Sequence, residues 1–569
     1  MQQRKPNLIN KAFNKYLWAS VLTVAATQIA NIVDAIIVGN LIGADALAAV
    51  NLSKPLLQAF FAVTCLYVAS STILAGMATG RNDRETADRL FTFSMAVSLV
   101  LGLVFSIAGL VWFRPLSGML CQSEALRPLS DAFMRVTLFN ALPQMLMLSL
   151  QQFVTMDGDP GMVSRAVIVG NVFNILLDIV FIRFFGWGIA GAAAATGVMY
   201  VVCMLMVLPH FRKKGSLRLC SIRPGDLEVG KVLTIGLPLF LSTVLMSVQY
   251  MGNNYVAGRY LGDDGLVALA VCMQLFAFSM IILTGTLRTI QPVGSILRGM
   301  GDSNGMLMLM KKAYSFMAVC FVVFTAILLV FPSQIGTMLG VSGESALETV
   351  RRAVPLFSLN IVLQALLCCL LPPFQLYDRK GLALLLSIAQ TLLPMVFFLL
   401  LRGNWLGFFF GQLATGLVIA VWEMILRHRS PGLCRFFLIP MNDGTKLMET
   451  TLEPTIQSLS EAVGDMREFL ASNGRDSRTA NAAAVCAEEF VKNIIDYGHA
   501  SSIDLSVTVK GDVIGVSIHD DGTAFDPVVA VKSSDSRIGL GLTIAKAFCK
   551  EMDYKYIFNQ NMVTITIQS

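Results

Sequence analysis

The stretch NVFNILLDIVFIRFFGWGIAGAAAATG, residues 171–197, sets two amides and a carboxylate inside a segment otherwise apolar enough to cross a membrane. The run from Met162 to Phe185 is about long enough for a hydrocarbon core of ~30 Å. Asn171, Asn174 and Asp178 interrupt it at i, i+3 and i+7, which places all three on one helical face. An ionisable side chain at bilayer depth costs roughly 2.5 kcal/mol or more, so this face turns to a bundle interior or a wet cavity and not to lipid. Such a cluster either joins neighbouring helices or holds a cation or a proton.

The same composition continues on both sides. Of 569 residues 55% are hydrophobic and only 14% charged, and the mean hydropathy of +0.67 excludes a soluble protein of this size. Spanning apolar runs recur from Tyr16 to Leu426, whereas from about Met441 onward charge and alternation are those of a globular domain. The expected architecture is a multi-pass α-helical membrane protein of about 12 helices in two six-helix lobes, followed by a cytosolic α/β two-layer sandwich. The lobes are expected at residues 1–220 and 221–430, a linker at 431–444 and the soluble domain at 445–569. The eleven cysteines show no CxxC pair and lie mostly in apolar runs, as small core residues do. The basic start, MQQRKPNLINKAFNK, precedes a first apolar run of spanning length, which reads as a retained helix rather than a signal peptide. Basic loops alternate along the chain: Arg4, Lys5, Lys11 and Lys15 before the first span, Arg81, Arg84 and Arg89 after the second, Arg212 and Arg218 after the sixth. By the positive-inside rule both termini and the soluble domain are cytoplasmic, on the cell's inner membrane. The net charge of +6 then reflects the membrane, and nothing calls for a nucleic-acid partner.

The membrane part is an internal repeat. GNLIGADALAAV from Gly39 matches GRYLGDDGLVAL from Gly258 at an offset of 219, pairing Gly43 with Gly262 and Asp45 with Asp264. The same offset pairs Gly80 with Gly299, Asp83 with Asp302 and Thr196 with Thr415. An even number of helices per copy gives both copies one orientation, as in transporters whose two lobes rock about a central cavity. The copies differ in charge: Asp34 corresponds to Asn253 and, with a small shift, Asp178 to Pro394, so membrane-depth acids belong to the first lobe. Asp34, Asp178 and Thr196 are expected at similar depth in the outer half. Two carboxyl groups and an amide in low dielectric suit a proton or a sodium ion. Lys54, near the outer end of the second span, either pairs with one of these acids or reaches to the surface.

VDAIIVGNLIGADALAAVNLSKP around the first span and the 171–197 stretch resemble the multidrug and toxic compound extrusion (MATE) transporters over about residues 10 to 430. That resemblance implies export by alternating access of small organic, cationic drugs or metabolites, driven by antiport of H⁺ or Na⁺, in contact with membrane lipid. It places the cation site on Asp34, Asn174, Asp178 and Thr196. The seventh span lacks the acid some members carry there.

After the linker, TIQSLSEAVGDMREFLAS and RTANAAAVCAEEFVKNIIDYG read as amphipathic helices, SIDLSVTVKGDVIGVSIHDDG as two strands joined at Lys510-Gly511, and NMVTITIQS as a closing strand. Glu489 and Asn493 share a helical face, Asp520-Asp521-Gly522 ends a strand, and the glycines of GLGLTIAKAF open a helix whose N–H groups can hold phosphate. In this order the fragments resemble the ATP-binding domain shared by gyrase, Hsp90, histidine kinases and MutL, nearest its anti-sigma-factor serine kinase branch. The resemblance implies ATP and Mg²⁺ as cofactors, with Asn493 the Mg²⁺ ligand, Glu489 the catalytic base, Asp520 the partner of the adenine amino group, Gly522 beside it, and Gly539 and Gly541 the phosphate-lid glycines. His499 falls in a turn, which argues against a histidine kinase. No P-loop GxxxxGK[ST] occurs, which argues against an ATP-driven pump. A lipid or polysaccharide flippase would call for a basic cavity, whereas the intramembrane charges read here are mainly acidic. The expectation is an exporter regulated by, or signalling through, its ATP-binding domain and a cytosolic regulatory protein. The alternative is a membrane-anchored serine/threonine kinase that uses the transporter half as sensor.

Overall fold

The computed structural model describes residues 4–120, 126–212, 216–222, 228–341, 343–430, 432–434, 436–440, 446–527 and 545–568. The chain divides into a helical unit, Lys15–Ile439, and a second unit that joins Met1–Asn14 to Pro440–Ser569.

In the helical unit the apolar runs form α1 (Asn7–Leu41, whose first turns belong to the second unit), α2 (Ala44–Gly80), α3 (Arg84–Leu120), α4 (Arg127–Phe139), α5 (Ala141–Met156), α6 (Pro160–Ile179) and α7 (Gly188–Val207). They continue as α8 (Val229–Met300), α9 (Ser303–Val330), α10 (Pro332–Met338), α11 (Glu344–Cys368), α12 (Leu371–Leu376), α13 (Lys380–Leu400) and α14 (Leu406–Arg429). Among the described residues ten helices are long and apolar enough to cross a membrane, eleven with the bent pair α4–α5 taken as one span. A straight helix as long as α8 would reach ~110 Å. Gly262 breaks it, at φ 68° and ψ −158°, and counting the two sides separately restores the twelve spans expected.

The repeat is written into the backbone. Asp83 caps α3 through the Thr86 N–H at 3.0 Å, and its counterpart Asp302 caps α9 through the Gly305 N–H at 2.6 Å. The residues before these caps, Asn82 and Gly301, both turn left-handed, at φ 62° and 77°. Gly43 and Gly262 likewise share positive φ, at 122° and 68°. The two copies meet along α2 and α8, where a Cβ on Gly80 would lie 2.8 Å from the Gly299 Cα and one on Gly299 would lie 2.8 Å from the Gly80 Cα. Residues related by the repeat touch each other there, so the pseudo-twofold axis passes between them.

The second unit is a five-stranded antiparallel sheet of β1 (Lys446–Leu452), β2 (Ile503–Lys510), β3 (Val513–Asp520), β4 (Glu551–Ile557) and β5 (Gln560–Gln568), in the order β1-β2-β3-β5-β4. Alternation gives it one apolar face, with Ile503, Leu505, Val507, Val516 and Ile565 buried against the core shared with α15 (Ile456–Ser472) and α16 (Ser477–Asn493). Burying each such side chain stabilises by about 1.5–3 kcal/mol. Gly511, at φ 55°, makes the tight turn between β2 and β3 at the place the sequence suggests. β1 and β4 were not among the strands expected, although β4, EMDYKYI, alternates Met552, Tyr554 and Tyr556 with charged residues, and Met552 and Tyr554 pack against the core. Across the sheet from the helices, Arg4 covers Asp504 and Glu449.

Candidate functional site

Asp159 caps α6 through the Met162 N–H at 3.1 Å, and Pro160 opens the helix. Three turns on, α6 buries Asn171, Asn174 and Asp178, with Asp178 at 0% exposure. Immediately after Asp178 the helix widens into a π-helical turn, Val180–Phe184, a distortion frequent at functional sites. Asp34 on α1 comes beside Asp178, close enough for one carboxyl group to hydrogen-bond to the other. Among the described residues no donor reaches Asp34 Oδ1 or either oxygen of Asp178, and Asn174 Nδ2 has no acceptor. Leaving such groups buried and unpaired costs about 1–3 kcal/mol each. The cluster's hard oxygens fit a proton shared by the carboxyl groups or an alkali cation between them. Thr196 is not drawn into this cluster: its hydroxyl donates to the Ala192 carbonyl of its own helix at 3.2 Å, with no hydrogen bond to the acids among the described residues. The side chain of Lys54 lies outside the described residues.

The helical unit also encloses a cavity of about 470 Å³. Neither Asp34 nor Asp178 lines it. Its wall carries the amides of Gln28, Gln58, Gln151, Gln249, Gln364 and Gln390 from six helices, the rings of Phe61 and Phe276, and, among the described residues, one charged side chain, Arg288. The intramembrane charge was expected to be mainly acidic, and at the cavity it is basic. Arg288 was missed in the sequence although LTGTLRTIQPVG shows an arginine in an apolar run.

The second unit holds a smaller cavity of about 140 Å³ between the end of α16 and the ends of β3 and β5. Asn493, Asp520, Phe490, Ala524, Val563 and Asn561 line it. Asn493 Nδ2 is buried with no partner among the described residues. Asp520 Oδ1 accepts from the Gly522 N–H at 2.8 Å and from Asn561 Nδ2 at 2.9 Å, leaving Oδ2 as the oxygen for a ligand. Burial pushes the Asp520 carboxyl up, and those two hydrogen bonds pull it part of the way back. Gly522 has no room for a side chain: a Cβ would sit 2.3 Å from the Gly498 carbonyl oxygen and 2.9 Å from Asp520 Oδ1. Asn561, overlooked in the sequence, stands opposite Asp520 in the β3–β5 register. It also bonds the Thr523 carbonyl at 3.0 Å and accepts from Tyr554 at 2.7 Å, tying the loop after β3 to the sheet. Glu489, one turn before Asn493, is half-buried and outside the cavity wall. Gly539 and Gly541 lie outside the described residues.

A MatE family profile matches residues 19–180 and again 238–400, one match to each copy of the repeat and together more than half of the chain. The chain belongs to the MatE family. Its C-terminal unit matches a histidine kinase-like ATPase domain over residues 452–567, so this MatE protein is fused to such a domain. Among curated relatives, the multidrug export protein MepA of Staphylococcus haemolyticus is 24% identical over 261 residues, which is 45% of this chain and 57% of that protein. MepA of Staphylococcus aureus strain NCTC 8325 is 23% identical over 260 residues, with the same coverage. The chain thus spans a little over half the length of the curated relatives it matches. A MOP superfamily transporter from Pyrococcus furiosus, described by the reverse polarity of its binding pocket, is 22% identical with a TM-score of 0.67, covering 75% of this chain and 98% of that one. An outward-facing multidrug resistance MATE transporter is 21% identical, also with a TM-score of 0.67. Both show that the helical unit has the MATE fold.

Proposed function

We propose that this MatE protein is an antiporter that exports small organic compounds by alternating access in exchange for H⁺ or Na⁺, under the control of a cytosolic ATP-binding domain. The observation that carries the transport half is the Asp34–Asp178 carboxyl pair, in which Asp178 and Asp34 Oδ1 are buried with no donor among the described residues, set apart from the central cavity. Separate places for cation and compound let the cation bias which conformation the cavity adopts, as antiport requires. Asn174 adds an amide to the cation site, and Thr196 would join it only by turning its hydroxyl away from Ala192. The curated relatives named above are multidrug exporters, which supports an organic substrate. The expected positive charge of that substrate gains no support from a cavity whose one charged side chain is Arg288.

In the second unit Asp520 Oδ2 would accept from the adenine amino group, and Asn493 would ligate Mg²⁺ through Oδ1. Gly522 keeps the base pocket open, Gly539 and Gly541 serve as the phosphate lid, and Glu489 activates a water or hydroxyl where ATP turns over. Lys11, in the first turns of α1, pairs with Asp521 next to Asp520. Farther along, the same helix carries Asp34. On this reading a change at the nucleotide pocket would reach the start of the helix that bears a cation ligand through this pair. The basic loops favour a cytoplasmic face for both termini and the ATP-binding domain.

The test is efflux of fluorescein and of ethidium from proteoliposomes holding the full chain, under imposed H⁺ or Na⁺ gradients, with and without Mg²⁺-ATP. Gradient-driven movement of either dye should fall at least tenfold in Asp178→Asn. It should persist in Asn493→Ala, with the response to ATP lost. Wild-type efflux by both Asp34→Asn and Asp178→Asn, or efflux that needs ATP and no gradient, would overturn the proposal.

A further inference from the structure

We infer that the central cavity takes an amphipathic organic anion, its acidic group held by Arg288, and not an organic cation. This deepens the export proposal and rests on it for the cavity being where the compound binds. Arg288 lies twelve residues before the end of α8 at Met300, ~18 Å along the helix axis, and so near mid-membrane. An arginine at that depth is costly and is kept where it meets a partner or a pathway. Its guanidinium faces the cavity, and among the described residues no carboxylate lies within ion-pairing distance of it. The first-lobe acids Asp34 and Asp178 lie beside each other and are not part of the wall.

With Arg288 and no acid in the wall among the described residues, the field inside the cavity is positive. In a water-poor site that field repels an entering cation and attracts a carboxylate, sulfonate or phosphate. The guanidinium presents a planar fork that pairs with such groups through two parallel hydrogen bonds. The rest of the wall is neutral and of two kinds. Glutamine amides offer donors and acceptors to polar substituents of many shapes, and Phe61, Phe276, Met246 and Met280 offer apolar surface. At about 470 Å³ the space is that of a drug-sized molecule. One fixed cation, adaptable amides and an apolar lining describe a binder selective for charge and tolerant of shape.

Fluorescein and ethidium are close in size and opposite in charge, and their binding to the full chain in phosphatidylcholine nanodiscs can be read by fluorescence anisotropy without any gradient. Wild type should bind fluorescein at least tenfold more tightly than ethidium. Arg288→Gln should weaken fluorescein at least tenfold and leave ethidium unchanged or tighter, Arg288→Lys should keep part of the preference, and Arg288→Glu should reverse it. Equal binding of the two dyes, tighter binding of ethidium, or fluorescein binding indifferent to Arg288→Gln would overturn the inference. Loss of fluorescein on adding phosphatidylglycerol would also overturn it, assigning Arg288 to a lipid headgroup. Because binding needs no transport, a chain that binds fluorescein but does not move it defeats only the export proposal. A chain that moves ethidium down a gradient and does not bind fluorescein defeats only this one.

Discussion

The Arg4 guanidinium meets the Asp504 carboxylate, Nε to Oδ2, at 3.0 Å, with both side chains 4% exposed. Glu449 lies 3.2 Å from the same guanidinium, the Thr451 hydroxyl donates to Asp504 Oδ1 at 2.7 Å, and the Lys5 N–H donates to the Thr451 hydroxyl at 2.7 Å. The segment before α1 is therefore part of the ATP-binding unit, laid over the sheet face that α15 and α16 leave open. Removing one partner of a buried ion pair leaves the others without countercharge, at a cost of about 3–5 kcal/mol. In the full chain, Arg4→Ala should speed hydrogen exchange of the β1 and β2 amides by a hundredfold or more. Arg4→Lys, which loses the fork but keeps the charge, should fall between. Unchanged protection would mean that the segment adds nothing to the sheet.

Seven residues farther on, Lys11 pairs with Asp521, whose carboxylate also accepts from the Ser501 N–H at 2.7 Å and the Ser502 N–H at 3.1 Å. Burial alone would raise this carboxyl. The hydrogen bonds from Lys11, Ser501 and Ser502 outweigh it and bring the group down to about 2. A carboxyl depressed in the folded state adds stability that is complete above its unfolded value near 3.8 and is lost as the pH falls toward about 2. Exchange at the Ser501 and Ser502 amides, corrected for intrinsic rate, should therefore rise between about pH 4 and pH 2. In Lys11→Met the rise should begin at higher pH, because one of the groups holding Asp521 ionised is gone.

The proposed nucleotide pocket is shaped by two residues that touch Asp520 as well as by Asp520 itself. Gly522→Ala forces a methyl group to within 2.3 Å of the Gly498 carbonyl oxygen, so the loop after β3 must move away from the turn that follows α16. Asn561→Ala removes the donor to Asp520 and the tie to Thr523. Each should weaken Mg²⁺-ATP binding to the full chain at least tenfold by calorimetry. Gly464→Ala serves as control, since nothing lies within 4 Å of a Cβ there and it should bind as wild type.

What could be read from the sequence was whatever repeats locally or at a fixed offset. The polar face of α6 follows from spacing within two turns, and the repeat follows from one register held from the Gly39–Gly258 pair to the Thr196–Thr415 pair. Arg4 counted only as one more basic residue before a span, because its partner Asp504 is 500 positions away. Asn561 sits opposite Asp520 through strand register, which no short motif encodes. Arg288 was visible as a letter, but its meaning depends on which side chains share its cavity, and the six glutamines named above come from six different helices. The depth argument brought Thr196 level with the acids but could not say where its hydroxyl points, and it points to Ala192.

The glycine pair on the pseudo-twofold axis gives the sharpest test of the helical unit. A Cβ on Gly80 would meet the Ile296 carbonyl oxygen at 2.3 Å, and a Cβ on Gly299 would meet the Met77 carbonyl oxygen at 2.2 Å. The obstacle is backbone in both cases, so no rotamer change relieves it and α2 must separate from α8. The two contacts mirror each other, because Met77 and Ile296 are themselves related by the offset of 219. Gly80→Ala and Gly299→Ala should each lower the thermal stability of the full chain in detergent, by about 1–3 kcal/mol as overpacking does, and by similar amounts. In the double variant the second methyl group enters an interface already parted by the first, so the combined loss should be clearly smaller than the sum. Additive losses would mean that the two glycines face separate obstacles and that the axis does not run between them.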